Sequence, residues 1–166
     1  MQVTISDARL RQAAAGGPAA FLQVVTDAIK ATAGGELNAD TMSQLSAPQT
    51  TLWAYDVLRE EVMQGGFVQL IHNGWGPFFF RNPFAKLLRQ WGLNELGKLI
   101  YSARELYFRD GERIEADCTD DEFMALYEQF PDFEHLDDDF IDGEENYTAA
   151  LAQYVDEHLT DFVEIV

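Results

Sequence analysis

Cysteine is nearly absent from this sequence: Cys118 stands alone among 166 residues. No disulfide can therefore close within the chain, and nothing calls for an oxidising compartment. Long hydrophobic runs are missing too. Charges or prolines interrupt every apolar stretch well before the ~20 residues of a membrane-spanning helix. The opening residues MQVTISDARLRQ mix acids and bases where a signal peptide carries its apolar core, so a cytoplasmic protein is expected. Histidine is scarce; His72, His135 and His158 show no metal-ligand spacing and no HExxH occurs. No metal and no cofactor is expected. Basic residues are few, 11 Lys and Arg against 29 Asp and Glu, for a formal net charge of −18. That imbalance argues against direct contact with nucleic acid or an anionic membrane and for a strongly basic partner.

What is present is an ordinary globular composition, 47% hydrophobic and 13% aromatic, far too apolar for wholesale disorder. The spacing predicts an all-α single domain of seven or eight short helices. Ser6-Asp7 starts the first, which Gly16-Gly17-Pro18 breaks, and Pro18 opens a second that ends at Gly34-Gly35. Asn38 caps a short turn. Ser46-Ala47-Pro48 opens a helix ending at Gly65-Gly66, and Phe67 to Ile71 fits helix or strand equally well. An aromatic loop, GWGPFFFRNP, precedes a helix from Pro83 to Gly92. A longer helix from Leu93 to Phe108 closes at an Asp110-Gly111 turn. Thr119-Asp120-Asp121-Glu122 matches a capping box, Pro131 stops that helix, and a further stripe breaks near Gly143 before a last helix from Tyr147 to Leu159. Three zones follow: N-terminal helices expected to be variable (1–37), a charge-neutral core (38–111) and an acidic helical face (112–166).

The charge is unevenly placed. Residues 1–111 hold 10 acids and 10 bases, whereas residues 112–166 hold 19 acids and only Arg113. Adaptation to high salt would acidify the whole surface, so it does not fit. Like charges ~7 Å apart in water repel by roughly 0.2–0.3 kcal/mol each, and so many neighbours sum to several kcal/mol, comparable with a domain's net stability. Asp156, Glu157 and Asp161 also stand at the C-terminal end of the last helix, where negative charge opposes the macrodipole. Folding does not account for them; a positive partner does.

Sharper chemistries fail on spacing. With Gly143 at the sixth position of a calcium loop, Phe140 and Ala149 fall where oxygen ligands belong. The third glycine of a Gly74-Trp75-Gly76 phosphate loop falls on Phe79. That aromatic segment either packs onto the core or protrudes at a dimer interface. Cys118 has no base partner in sequence, and acidic neighbours disfavour its thiolate. No carboxylate pair is singled out, so an enzyme is not expected. Carboxylates three or four apart on a helix lie ~5–6 Å apart, close enough to imitate phosphates along a DNA strand. The candidates are Asp117, Asp120, Asp121, Glu128, Asp132, Glu134, Asp137, Asp138, Asp139, Asp142, Glu144, Glu145, Asp156, Glu157 and Asp161. An acidic immunity-type inhibitor of a nuclease is the alternative.

The strings LREEVMQGGFVQLIHNGWGPFFFRNPFAKLLRQWGLNELGKLI (58–100), DDEFMALYEQFPDFEHLDDDF (120–140) and YVDEHLTDFV (154–163) resemble a family of small acidic bacterial DNA-mimic proteins. The likeness spans roughly residues 40–163. It implies a helical, dimeric protein that occupies the DNA-binding surface of a helix-turn-helix transcription factor and so relieves repression.

Overall fold

Capping chemistry sets most helix boundaries in the computed structural model, which describes residues 1–166. The Ser6 hydroxyl accepts the Arg9 N–H at the start of α1 (Asp7–Ala15). Pro18 opens α2 (Pro18–Ala33), which ends on Gly34 in the left-handed region. The Asn38 side chain accepts the N–H groups of Asp40 and Thr41, both at 3.0 Å, to begin α3 (Ala39–Gln44). There follow α4 (Ala47–His72), α5 (Gly76–Phe80), α6 (Phe84–Gln90) and α7 (Asn94–Glu115). The Thr119/Glu122 capping box starts α8 (Asp120–Gln129) as expected. A 3-10 turn at Pro131–Phe133 leads into α9 (Glu134–Glu157), and a second lies at Leu159–Asp161. The class is all-α, with nine α-helices.

Several boundaries differ from expectation, each for a visible reason. The break at Gly65-Gly66 is as expected: Gly66 (φ 72°) is non-helical, and α4 is two helical segments joined at a kink there. The second of these makes Phe67 to Ile71 helical. The kink is stitched from outside the helix. Tyr127 donates its hydroxyl to the Gly65 carbonyl at 2.8 Å, and Asp137 accepts the Phe67 N–H at 2.8 Å. The aromatic loop folds as the short α5. Asp110-Gly111 is helix interior rather than a turn, because Arg109 chelates the buried Asp110 and the Tyr107 ring occupies the space a side chain at Gly111 would need. The charge boundary therefore falls inside α7. Gly143 likewise does not break α9. A mid-helix glycine costs about 1 kcal/mol, which the continuous stripe Leu136, Phe140, Leu151 and Val155, all buried, outweighs.

The chain forms two compact units. One joins Met1–Val57 to Glu145–Val166. Within it β1 (Thr4–Ile5) pairs in parallel with β2 (Glu164–Ile165), two short strands that the sequence pattern gives no hint of. The buried Gln49 amide locks this seam: it donates to the carbonyls of Met1 and Phe162, each at 2.9 Å, and its oxygen accepts the Ser46 N–H. Val25, Ile29, Leu52, Trp53, Leu151 and Val155 are buried in the same unit. The second unit, Leu58–Glu144, packs α5 and α6 onto α7. Phe79 meets Phe84 edge-on at 5.0 Å, and Phe80 lies 5.0 Å from Tyr107. Phe67, Leu88, Ile100, Phe133 and Phe140 are fully enclosed there.

Candidate partner-binding acidic surface

In the second unit the acids come from the α7–α8 link, both ends of α8, the 3-10 turn and the first half of α9. Asp117, Asp120, Asp121, Glu128, Asp132, Glu134, Asp138, Asp139 and Asp142 are exposed. Asp120 and Asp121 occupy the first turn of α8, where the helix dipole welcomes them. Asp132 is partly neutralised: Arg109 donates to it at 2.6 Å while also holding the buried Asp110. In the first unit Glu145, Asp156, Glu157 and Asp161 are exposed. The last turn of α9 has no basic residue to offset Asp156 and Glu157.

Two candidates leave the array. Glu144 is only 9% exposed and accepts Arg59 Nε at 2.5 Å. Asp137 turns inward to the Gly66 kink; burial raises its carboxyl to about 6, against the opposing pull of the Phe67 N–H, and the nearby Asp138 and Glu134 raise it further while His135 lowers it. Both side chains are engaged within the fold. Sequence reasoning missed Glu112, exposed on α7 once the helix runs past Gly111. It also missed two exposed apolar side chains among the acids, Met124 on α8 and Ile141 on α9. Only the three-dimensional placement separates these from the buried stripe beside them.

The spacing along α9 is uneven. From Asp138 to Glu157 the helix axis advances about 28 Å, over which one DNA strand carries roughly eight phosphates. Exposed acids in that span are Asp138, Asp139, Asp142 and Glu145, then, after a run of uncharged residues, Asp156 and Glu157. Two patches stand on one helix, not a uniform ladder.

Cys118 acquires a neighbour that its sequence context concealed. His72 binds the Ile114 carbonyl through Nδ1 at 2.8 Å and places Nε2 3.9 Å from Cys118 Sγ. Burial, then Glu122, Asp117 and Asp120, push the thiol pKa up, so the pair holds a thiol and not a nucleophilic thiolate. His158 stacks on Tyr154 with ring centroids 4.1 Å apart and binds its carbonyl, a packing role. In the aromatic segment Phe79 and Phe80 are buried, and Trp75 and Phe78 are half-buried against each other, so core packing accounts for it.

No helix is long and apolar enough to cross a membrane. A profile of the family described as DMP19-like protein matches residues 43–158, from α3 to the end of α9. The chain belongs to the DMP19-like family. It is 38% identical over 128 residues to the DNA mimic protein DMP19 of Neisseria meningitidis serogroup B, an alignment covering 76% of this chain and 77% of that protein. The span shared with the DMP19-like family contains every exposed candidate except Asp161, and it leaves out α1 and α2.

Proposed function

We propose that this protein is a noncatalytic DNA mimic that occupies the DNA-binding surface of a basic, helix-turn-helix transcription factor and blocks its access to DNA. The observation that carries the reading is the exposed acid set on α8 and α9, mounted on helices whose opposite faces are buried and so fixed in position. A disordered acidic tail holds no such spacing. The relative named as a DNA mimic supports the same reading. On this proposal the carboxylates stand in for phosphates, and Met124 and Ile141 add apolar contact that a phosphate backbone does not offer.

The protein acts in the cytoplasm as a homodimer, which doubles the charged length facing a two-fold regulator. The test is capture from a native lysate at low salt, followed by elution with duplex DNA. Release of a DNA-binding protein by the duplex is the expected result. Capture of a protein that binds DNA and this chain simultaneously sinks the proposal, as does capture of no DNA-binding protein at all.

A further inference from the structure

Of the eleven Lys and Arg residues, five pair with a carboxylate: Arg11, Lys30, Arg59, Lys98 and Arg109. Six do not, and three of these, Arg81, Lys86 and Arg104, line one surface cavity of about 300 Å³ in the second unit, between α5, α6 and α7. Arg81 and Arg104 lie over the same Phe108 ring, at 5.7 and 5.0 Å from its centroid. Arg81 also lies over the Tyr107 ring, whose hydroxyl binds Glu115, so the charge that an anion would offset rests chiefly on Lys86 and Arg104.

The rest of the lining points the same way. Asn82 spends its Oδ1 on the Phe84 N–H, so its amide NH2 remains as a donor. Tyr101 contributes the phenol, and no Asp or Glu lines the wall. The floor is apolar, with Phe79, Phe80 and Ile100 buried. Guanidinium forks match phosphate oxygens two at a time, and three cations suit a dianion better than a single carboxylate. The volume exceeds what a bare phosphate needs and lies at the low end of small-molecule sites.

We propose that this cavity binds a small organic phosphate carrying a planar ring, the chemistry of a nucleoside monophosphate. Arg81, Lys86 and Arg104 hold the phosphate, and the ring lies along Tyr101 above the apolar floor. The site is separate from the acidic helices, so the two proposals fail independently.

Calorimetric titration of the full chain with adenosine monophosphate and with inorganic phosphate tests it, alongside R104Q, K86Q and the control R9Q, whose arginine is exposed on α1. Saturable binding of the nucleotide, tighter than phosphate, is expected. R104Q and K86Q should each weaken it about tenfold, the scale of one charged hydrogen bond, and R9Q should not change it. All three positions are exposed, and circular dichroism confirms folding of each variant. Absence of saturable binding, equal affinity for nucleotide and phosphate, or unchanged binding in R104Q and K86Q overturns the proposal. A shift in solution mass in R104Q without nucleotide binding to the native chain also overturns it, since the cations then serve an acidic segment of a second copy.

Discussion

Asp137 and Glu144 lie amid a run of exposed acids, yet both serve the fold. Asp137 accepts the Phe67 N–H at the α4 kink, and its raised pKa of about 6 sets a pH dependence. A carboxyl raised on folding stabilises most when protonated. Its contribution is present in full below the ordinary aspartate value of ~3.9 and is lost as pH rises through about 6. Asp137→Asn stays neutral and keeps an oxygen for the Phe67 N–H. The variant should be more stable than the native chain at pH 7.5 by ~1–2 kcal/mol, a figure discounted for partial solvent screening. That advantage should shrink as pH falls through about 6 and vanish only at about pH 4 and below in urea unfolding curves. An advantage independent of pH would contradict the burial argument. Sequence alone gives Asp137 and Asp138 the same reading; only burial, a tertiary quantity, separates them.

At the scale of elements, local chemistry and tertiary chemistry divide the helix boundaries between them. Ser6, Pro18, Asn38 and Thr119 act through their own nearest N–H groups, and all four starts are legible in the sequence. Gly66 reads as a stop and the helix does break there, its kink held by Tyr127 and Asp137 from far along the chain. Gly111 and Gly143 also read as stops, whereas they lie inside α7 and α9. The α4 kink is the sharpest case. Gly66 and Gly74 both adopt positive φ, but a methyl group would meet the Asp137 carboxylate only at Gly66 and open space at Gly74. Both substitutions should lose the roughly 1–3 kcal/mol of a strained backbone position, and Gly66→Ala should lose more because its methyl group also meets the Asp137 carboxylate, measured by thermal unfolding. Equal losses would mean that Asp137 does not hold the kink.

For the whole molecule, the charge sum is the sequence's plainest statement and its geometry is the structure's. If the α9 patches face a basic partner, charge reversals at Asp138, Asp142 and Glu145, introduced one by one, should weaken binding progressively and flatten its salt dependence. Gel-shift competition between the captured regulator, duplex DNA and each variant reads both effects. Unchanged affinity at low salt would remove this face from the interface. Asp137 and Glu144 are unsuitable for that series, since reversing either breaks the fold before it touches a partner. The opposite feature, three cations around one cavity with no carboxylate in its wall, went unread in the sequence because Arg81, Lys86 and Arg104 are separated along the chain and count among the ten bases that balance the ten acids of residues 1–111.

The sequence by itself determined the helical class, the local caps and the confinement of net charge to the last third, because each depends on residue identity or on neighbours within one turn. The tertiary structure decided which carboxylates are exposed, which glycines lie inside helices instead of ending them, how β1 meets β2, and which cations line one cavity. Those outcomes depend on burial and on groups dozens of residues apart, and no short-range pattern encodes them.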